Sequence, residues 1–288
     1  MIGVIDVGGG LRGAYGAGVL DRCLHEGIHF HYGIGVSAGS ANLANYFADQ
    51  PGRCYSFYCD YAFRKQYMSV QNLIEKHSYI DMDYVYSTLS DEDGEYPLDY
   101  DTILKSRANL TVVATNALNG LPVYFSNEDM SRNHYDIFKA SCSVPVINRA
   151  YEVNGIPCYD GGMSDPIPFE KAFDDGCDYV IVILTRPADY YRSPKKDHLI
   201  AEILRHEYPM AASAMTSRAE IYNRQLRAAH DLEEEGKLLI VAPDNIEGMS
   251  TLSKDRDAIR DLYAKGYEDG SRIIPFVQKI AANPQNGL

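Results

Sequence analysis

The 288-residue sequence predicts an α/β fold, and three observations carry that prediction. A short apolar run at residues 2–7 leads straight into glycines, as a buried parallel strand does. A stretch at helical spacing and a second short strand follow, so the chain returns parallel through a right-handed crossover. Two further apolar runs, at 178–184 and 237–242, alternate with segments of helical periodicity.

Each element has a local reason. Residues 8–13 form a glycine turn. Residues 14–26 place Val19, Leu20, Cys23 and Leu24 at helical spacing, and Gly27 supplies the stop. Residues 31–36 read as the second strand, and 38–48 as a helix ended by Pro51. Residues 54–90 are rich in Tyr and Phe with helical periodicity, and Asp91-Glu92-Asp93-Gly94 marks a surface turn. A strand at 109–115 runs into Asn119-Gly120 and pairs as a hairpin with 121–126. A short helix is expected at 134–140. A second hairpin at 151–159 delivers Asp160 at its end. Residues 198–234 and 254–282 read as long helices with charged outer faces. No linker or repeat divides the chain, so a single domain is expected. Its motif-bearing core is about 1–185, with a strand and helices over about 190–285 completing or covering it.

Composition limits the function classes. An apolar fraction of 45% with 23% charged residues is that of a globular enzyme. A net charge of −13 argues against a nucleic-acid partner, because phosphate neutralisation needs a basic face. Arg192, Lys195 and Lys196 form a short basic patch, readable as a transient membrane contact or as a solvated loop. No basic n-region opens the chain and no apolar run has transmembrane length, which points to the cytoplasm, at most peripheral to a membrane. Six scattered cysteines lack zinc-site spacing and read as reduced thiols. Nothing in the sequence bears on oligomeric state.

The chemistry concentrates in three places. Gly35-Val36-Ser37-Ala38-Gly39 falls at a strand-to-helix junction, where a nucleophile on a sharp turn needs small flanking residues. The helix N-terminus there favours developing negative charge. Gly8-Gly9-Gly10-Leu11-Arg12-Gly13 formally satisfies a dinucleotide-binding fingerprint, yet the second strand ends without the carboxylate that a ribose needs. Consecutive glycine amides can instead converge as an oxyanion hole. Asp160-Gly161-Gly162 supplies a carboxylate that can approach another backbone closely. Of the eight histidines, none of those late in the chain sits in a glycine-flanked strand-end loop, and His198, His206 and His230 fall on expected helices; a histidine-dependent triad stays open, with Asp160 the better-placed base. Arg12 would either steady a lipid phosphate or order its own loop.

In this order the three motifs resemble the patatin-like phospholipase family, as does Ala140-Ser141-Cys142-Ser143-Val144-Pro145. The resemblance runs from the first strand to about residue 185. Asp-Gly-Gly is the form of the bacterial branch, where plant members more often have Asp-Gly-Ala. The resemblance implies a three-layer α/β/α sandwich around a mostly parallel sheet, acting on lipid acyl esters without metal or cofactor. Ser37 is then the nucleophile and Asp160 the base, with the 8–13 loop (Gly8, Gly9, Gly10, Arg12, Gly13) as oxyanion hole. Gly35 and Gly39 flank the elbow, and Gly161 and Gly162 the base. An acyl groove is expected among the aromatics of 55–86. Two other readings use the same residues: a nucleotide-binding module on the 8–13 loop, and a non-catalytic scaffold of the same fold.

Overall fold

A computed structural model describes residues 1–282. Positions 283–285, the end of the expected C-terminal reach, lie outside the described residues. The chain runs β1 (Ile2–Asp6), α1 (Ala14–His25), β2 (Tyr32–Val36), α2 (Ala38–Phe47), α3 (Arg53–Cys59), α4 (Val70–Lys76), α5 (Tyr100–Ser106) and β3 (Asn109–Asn116). It continues through β4 (Pro122–Phe125), α6 (Asp136–Ser141), β5 (Tyr151–Val153), β6 (Ile156–Asp160), α7 (Phe169–Asp174) and β7 (Tyr179–Ile183). The last elements are α8 (Lys195–Leu204), α9 (Pro209–Glu234), β8 (Leu238–Val241), α10 (Arg256–Asp269) and α11 (Ile273–Ala281).

The central strands β3, β2, β1, β7 and β8 pair parallel in that order, while β4, β5 and β6 join antiparallel at the β3 side. Strand alternation divides two cores. Val4, Val112, Ile181 and Ile183 face α1, α2 and α10, whereas Ile5, Val113, Val180 and Val182 face α7 and α9. A mostly parallel sheet buried on both faces by helices is the expected three-layer α/β/α sandwich.

One register decides the site. Along β3, Val113 pairs with Val36 on one edge and Tyr124 on the other; the next residue, Ala114, pairs with Asp160 and Val123. A residue has one partner per edge, so β2 and β6 meet end to end along the same side of β3. Ser37, which follows Val36, therefore emerges where β6 ends in Asp160.

Three expected helical stretches are broken, the 254–282 stretch being α10 and α11 joined by a 3-10 turn at Gly270–Arg272. The 198–234 segment is two helices, because Pro209 starts α9 and holds Tyr208 at φ −132°, ψ 78°, outside the helical region. The 54–90 stretch contains only short helical pieces, α3 and α4 among them, with intervening turns. Helix α5 was not legible from its short periodicity; Asp99 caps it by accepting the Thr102 N–H at 3.0 Å. The basic patch also differs. Arg192 turns inward to donate twice to the fully buried Asp197, at 2.7 Å each, which leaves Lys195 and Lys196 as its surface charges.

Candidate active site

Ser37 stands between β2 and α2 with φ 55° and ψ −134°. A side chain at positive φ outside a glycine costs on the order of 1–3 kcal/mol and persists only where its surroundings over-determine it. Here they do. Its N–H donates to Ser141 Oγ at 2.9 Å, and its carbonyl accepts from Ser40 N at 2.9 Å and Ser40 Oγ at 2.7 Å. The flanking glycines are steric necessities: a Cβ at Gly35 would lie 2.6 Å from Ser40 N, and one at Gly39 2.6 Å from the Asp6 carbonyl carbon.

The glycine loop follows β1, the strand next to β2, and so opens at the same end of the sheet. Gly9 and Gly10 adopt φ 129° and 61°, which turns their amides in a way side chains resist. No described residue accepts either N–H. The other amides have structural partners. The Gly8 N–H donates to Asp6 Oδ1 at 2.8 Å, the Leu11 N–H to the Thr251 carbonyl at 2.9 Å, and the 3-10 turn of Gly10–Gly13 engages later amides in i→i+3 bonds. The Thr185 hydroxyl donates to the Gly8 carbonyl. Arg12 orders the loop: buried, it donates from Nε to the Thr185 carbonyl at 3.3 Å and from Nη1 to Thr251 Oγ1 at 3.2 Å.

Asp160 is buried, which pushes its carboxyl pKa up; the Arg218 charge, the Ser37 hydroxyl, the Gly162 N–H and the Arg192 charge act against that rise. The Ser37 hydroxyl is thus a near neighbour that acts on the carboxyl, although among the described residues the two side chains form no direct hydrogen bond. Asp160 Oδ1 accepts from Gly162 N at 2.8 Å, and the Asp160 N–H donates to the Ser143 carbonyl at 2.9 Å. The segment 140–145 therefore braces the elbow through Ser141 and the aspartate through Ser143. Among the described residues no histidine hydrogen-bonds Ser37 or Asp160.

Several contributors carry little or no sequence signal. Arg218, on α9, donates from Nε to the Gly162 carbonyl at 2.6 Å. Asp6, at the end of β1, is fully buried and accepts from Asn42 Nδ2 and from Gly8 N, both at 2.8 Å. Burial raises its pKa to about 6, while those two hydrogen bonds pull it down. The one available hint for Asp6 is a carboxylate inside an apolar strand, which is costly unless bonded.

A cavity opens at Ser37 and runs along α2 past Ala38, Ala41, Asn42 and Asn45. Its apolar wall includes Phe57, Tyr67, Ile80, Met82, Val85 and Tyr86 from the aromatic 55–86 stretch. Other aromatics of that stretch, such as Tyr61 and Tyr84, pack into a small cluster with Val85 and Leu89 instead. Among the described residues no cluster of three metal-ligating side chains occurs, and no helix is long and apolar enough to cross a membrane.

A sheet whose adjacent strand ends carry a serine elbow and a glycine loop, faced by an Asp-Gly-Gly turn, defines a class. The patatin-like phospholipase family model matches residues 7–173, and the chain belongs to that family. A separate model, a domain of unknown function (DUF6363), matches residues 208–281, which include α9 and Arg218. The chain is 29% identical over 199 residues to the uncharacterized protein YjjU of Escherichia coli K12, covering 67% of this chain and 54% of YjjU. It thus spans about half the length of that relative. VipD of Legionella pneumophila superposes with a TM-score of 0.48 at 12% identity, over 95% of this chain and 66% of VipD.

Proposed function

We propose that this chain is a serine acyl hydrolase that cleaves fatty acyl esters of lipids through a Ser37–Asp160 dyad. The observation that carries the reading is the β3 register, which sets Val36 and Asp160 opposite consecutive residues and so brings the strained serine to the carboxylate. Ser37 Oγ attacks the ester carbonyl carbon as its proton passes to Asp160. The carbonyl oxygen gathers negative charge and is met by the free N–H groups of Gly9 and Gly10. Collapse expels the alcohol or lysolipid, which takes the proton from Asp160 and leaves an acyl-Ser37 ester. Water then gives a proton to Asp160 and attacks that ester; the second collapse returns the proton to Ser37 and frees the fatty acid. Gly8, Arg12 and Gly13 hold the loop rather than touch the oxyanion. The chain works as one unit in this reading, since Arg218 and Thr251 come from the C-terminal part.

The test is hydrolysis of a para-nitrophenyl acyl ester. Ser37→Ala and Asp160→Asn are each expected to lower kcat/KM by about 10³-fold or more while circular dichroism stays unchanged. A fluorophosphonate probe should label wild type and not Ser37→Ala. Full activity in either variant overturns the dyad.

A further inference from the structure

The cavity beside α2 is mostly apolar along its walls, Asn42 and Thr251 aside, but not at its far end. Ser37 and Asn45 are eight residues apart, and at 1.5 Å per residue of α2 the lining runs about 12 Å from the nucleophile. There it meets three polar side chains: Asn45, Arg53 and Ser90. Arg53 is 4% exposed. Its Nε and Nη2 donate to the Tyr96 carbonyl at 3.0 and 2.6 Å, its Nη2 to Ser90 Oγ at 2.9 Å, and its Nη1 to Asn45 Oδ1 at 2.7 Å. The guanidinium lies 4.4 Å from the Phe57 ring centre and 5.4 Å from that of Tyr96.

All of these partners are neutral. No carboxylate among the described residues forms an ion pair with Arg53. A buried charge ordinarily has a counter-charge, because removing an ion from water is costly, and arginine cannot escape by losing its proton. Burial does push its pKa down. Of its five N–H groups, four bonds account for four, which leaves one hydrogen on Nη1 for a group in the cavity. Fixing Asn45 to the 90–96 segment needs neither that hydrogen nor a wall position.

We propose that Arg53, held in place by Ser90 and Asn45, is a subsite for a carboxylate at the far end of the substrate's acyl chain. The inference rests on the acyl-hydrolase reading for the identity of the chain that enters at Ser37. An extended chain advances about 1.2 Å per bond, so a carboxylate about ten bonds from the ester carbonyl would reach Arg53. A methyl-ended chain of that length would instead leave the guanidinium uncompensated and strip it of water. The substrate class is therefore a half-ester of a medium-length straight-chain dicarboxylic acid.

Binding tests this independently of turnover. Calorimetric titration would compare the monomethyl ester of decanedioic acid with methyl decanoate, using Ser37→Ala protein to prevent hydrolysis. The half-ester is expected to bind at least about tenfold more tightly, as charge-assisted hydrogen bonds warrant. Half-esters of about six or about fourteen carbons should lose most of that advantage. Adding Arg53→Met should abolish the preference. Equal or tighter binding of methyl decanoate overturns the proposal, and so does a preference that survives Arg53→Met. Should Arg53→Met not fold, the length optimum in the Ser37→Ala protein decides alone: a preference with no optimum near ten bonds overturns it. Failure of the dyad would show separately, as wild-type protein that binds the half-ester without hydrolysing it.

Discussion

The backbone N–H of Ser37 donates to the hydroxyl of Ser141 at 2.9 Å, and that hydroxyl donates onward to the Val113 carbonyl at 2.7 Å. One side chain thus ties the strained elbow to the strand whose register positions Asp160. Two residues later the Ser143 carbonyl takes the Asp160 N–H at 2.9 Å. The 140–145 segment, distinctive in the sequence without an evident task, is the common brace of both residues.

Ser141→Ala is accordingly expected to destabilise the fold by about 1–3 kcal/mol, since it leaves a buried donor and a buried acceptor without partners. Urea unfolding should show a lower midpoint at unchanged slope. A midpoint equal to wild type would mean that the elbow needs no such tie.

What was legible in the sequence was whatever depends on local backbone geometry. Glycines at 8–10, 35 and 39, and the serine between strand and helix, announce turns that only small residues permit. The 151–159 hairpin is visible because Asn154 and Gly155 both take positive φ, as its tight turn requires. Register was not legible: nothing in residues 109–116 tells that Val113 and Ala114 face strands from different parts of the chain. Arg218 was hidden for a related reason. It is one of several arginines on a polar-looking helix, and only the packing of α9 against the Asp-Gly-Gly turn distinguishes it. Arg53 likewise looks like an ordinary helix residue until burial removes its water.

Arg218 gives the second prediction. Its charge is the largest influence holding the Asp160 pKa down against burial. In the proposed dyad the base works when ionised, so activity is expected to fall as pH drops through the Asp160 pKa. Removing the charge raises that pKa, and Arg218→Met should therefore move the acid limb of kcat/KM to higher pH, with activity recovering in more alkaline buffer. Arg218→Lys keeps a charge but loses the Nε bond to Gly162, and its acid limb should lie between the other two. A purely structural role predicts loss of activity in Arg218→Met with the limb unmoved, and that result would dismiss the electrostatic account.

Asp6 gives the third prediction, in stability rather than rate. Its folded pKa is about 6 against an ordinary 3.8, with burial as the largest cause. The folded state therefore holds this proton more tightly than the unfolded chain does. Between the two values the unfolded state binds fewer protons, so this group's contribution is fully present below about 3.8 and is lost as pH rises through about 6. The gap between about 6 and 3.8 corresponds to about 3 kcal/mol at full ionisation. Other buried carboxyls, Asp21, Asp160 and Asp165, shift in the same direction, so wild-type stability alone does not isolate Asp6. The difference in unfolding free energy between wild type and Asp6→Asn does. Whatever constant offset the altered contacts with Gly8 and Asn42 introduce, that difference should move against wild type by up to about 3 kcal/mol from pH 4 to pH 7. A difference flat across this range would place the Asp6 carboxyl at an ordinary pKa and remove the link between its proton and the glycine loop it holds.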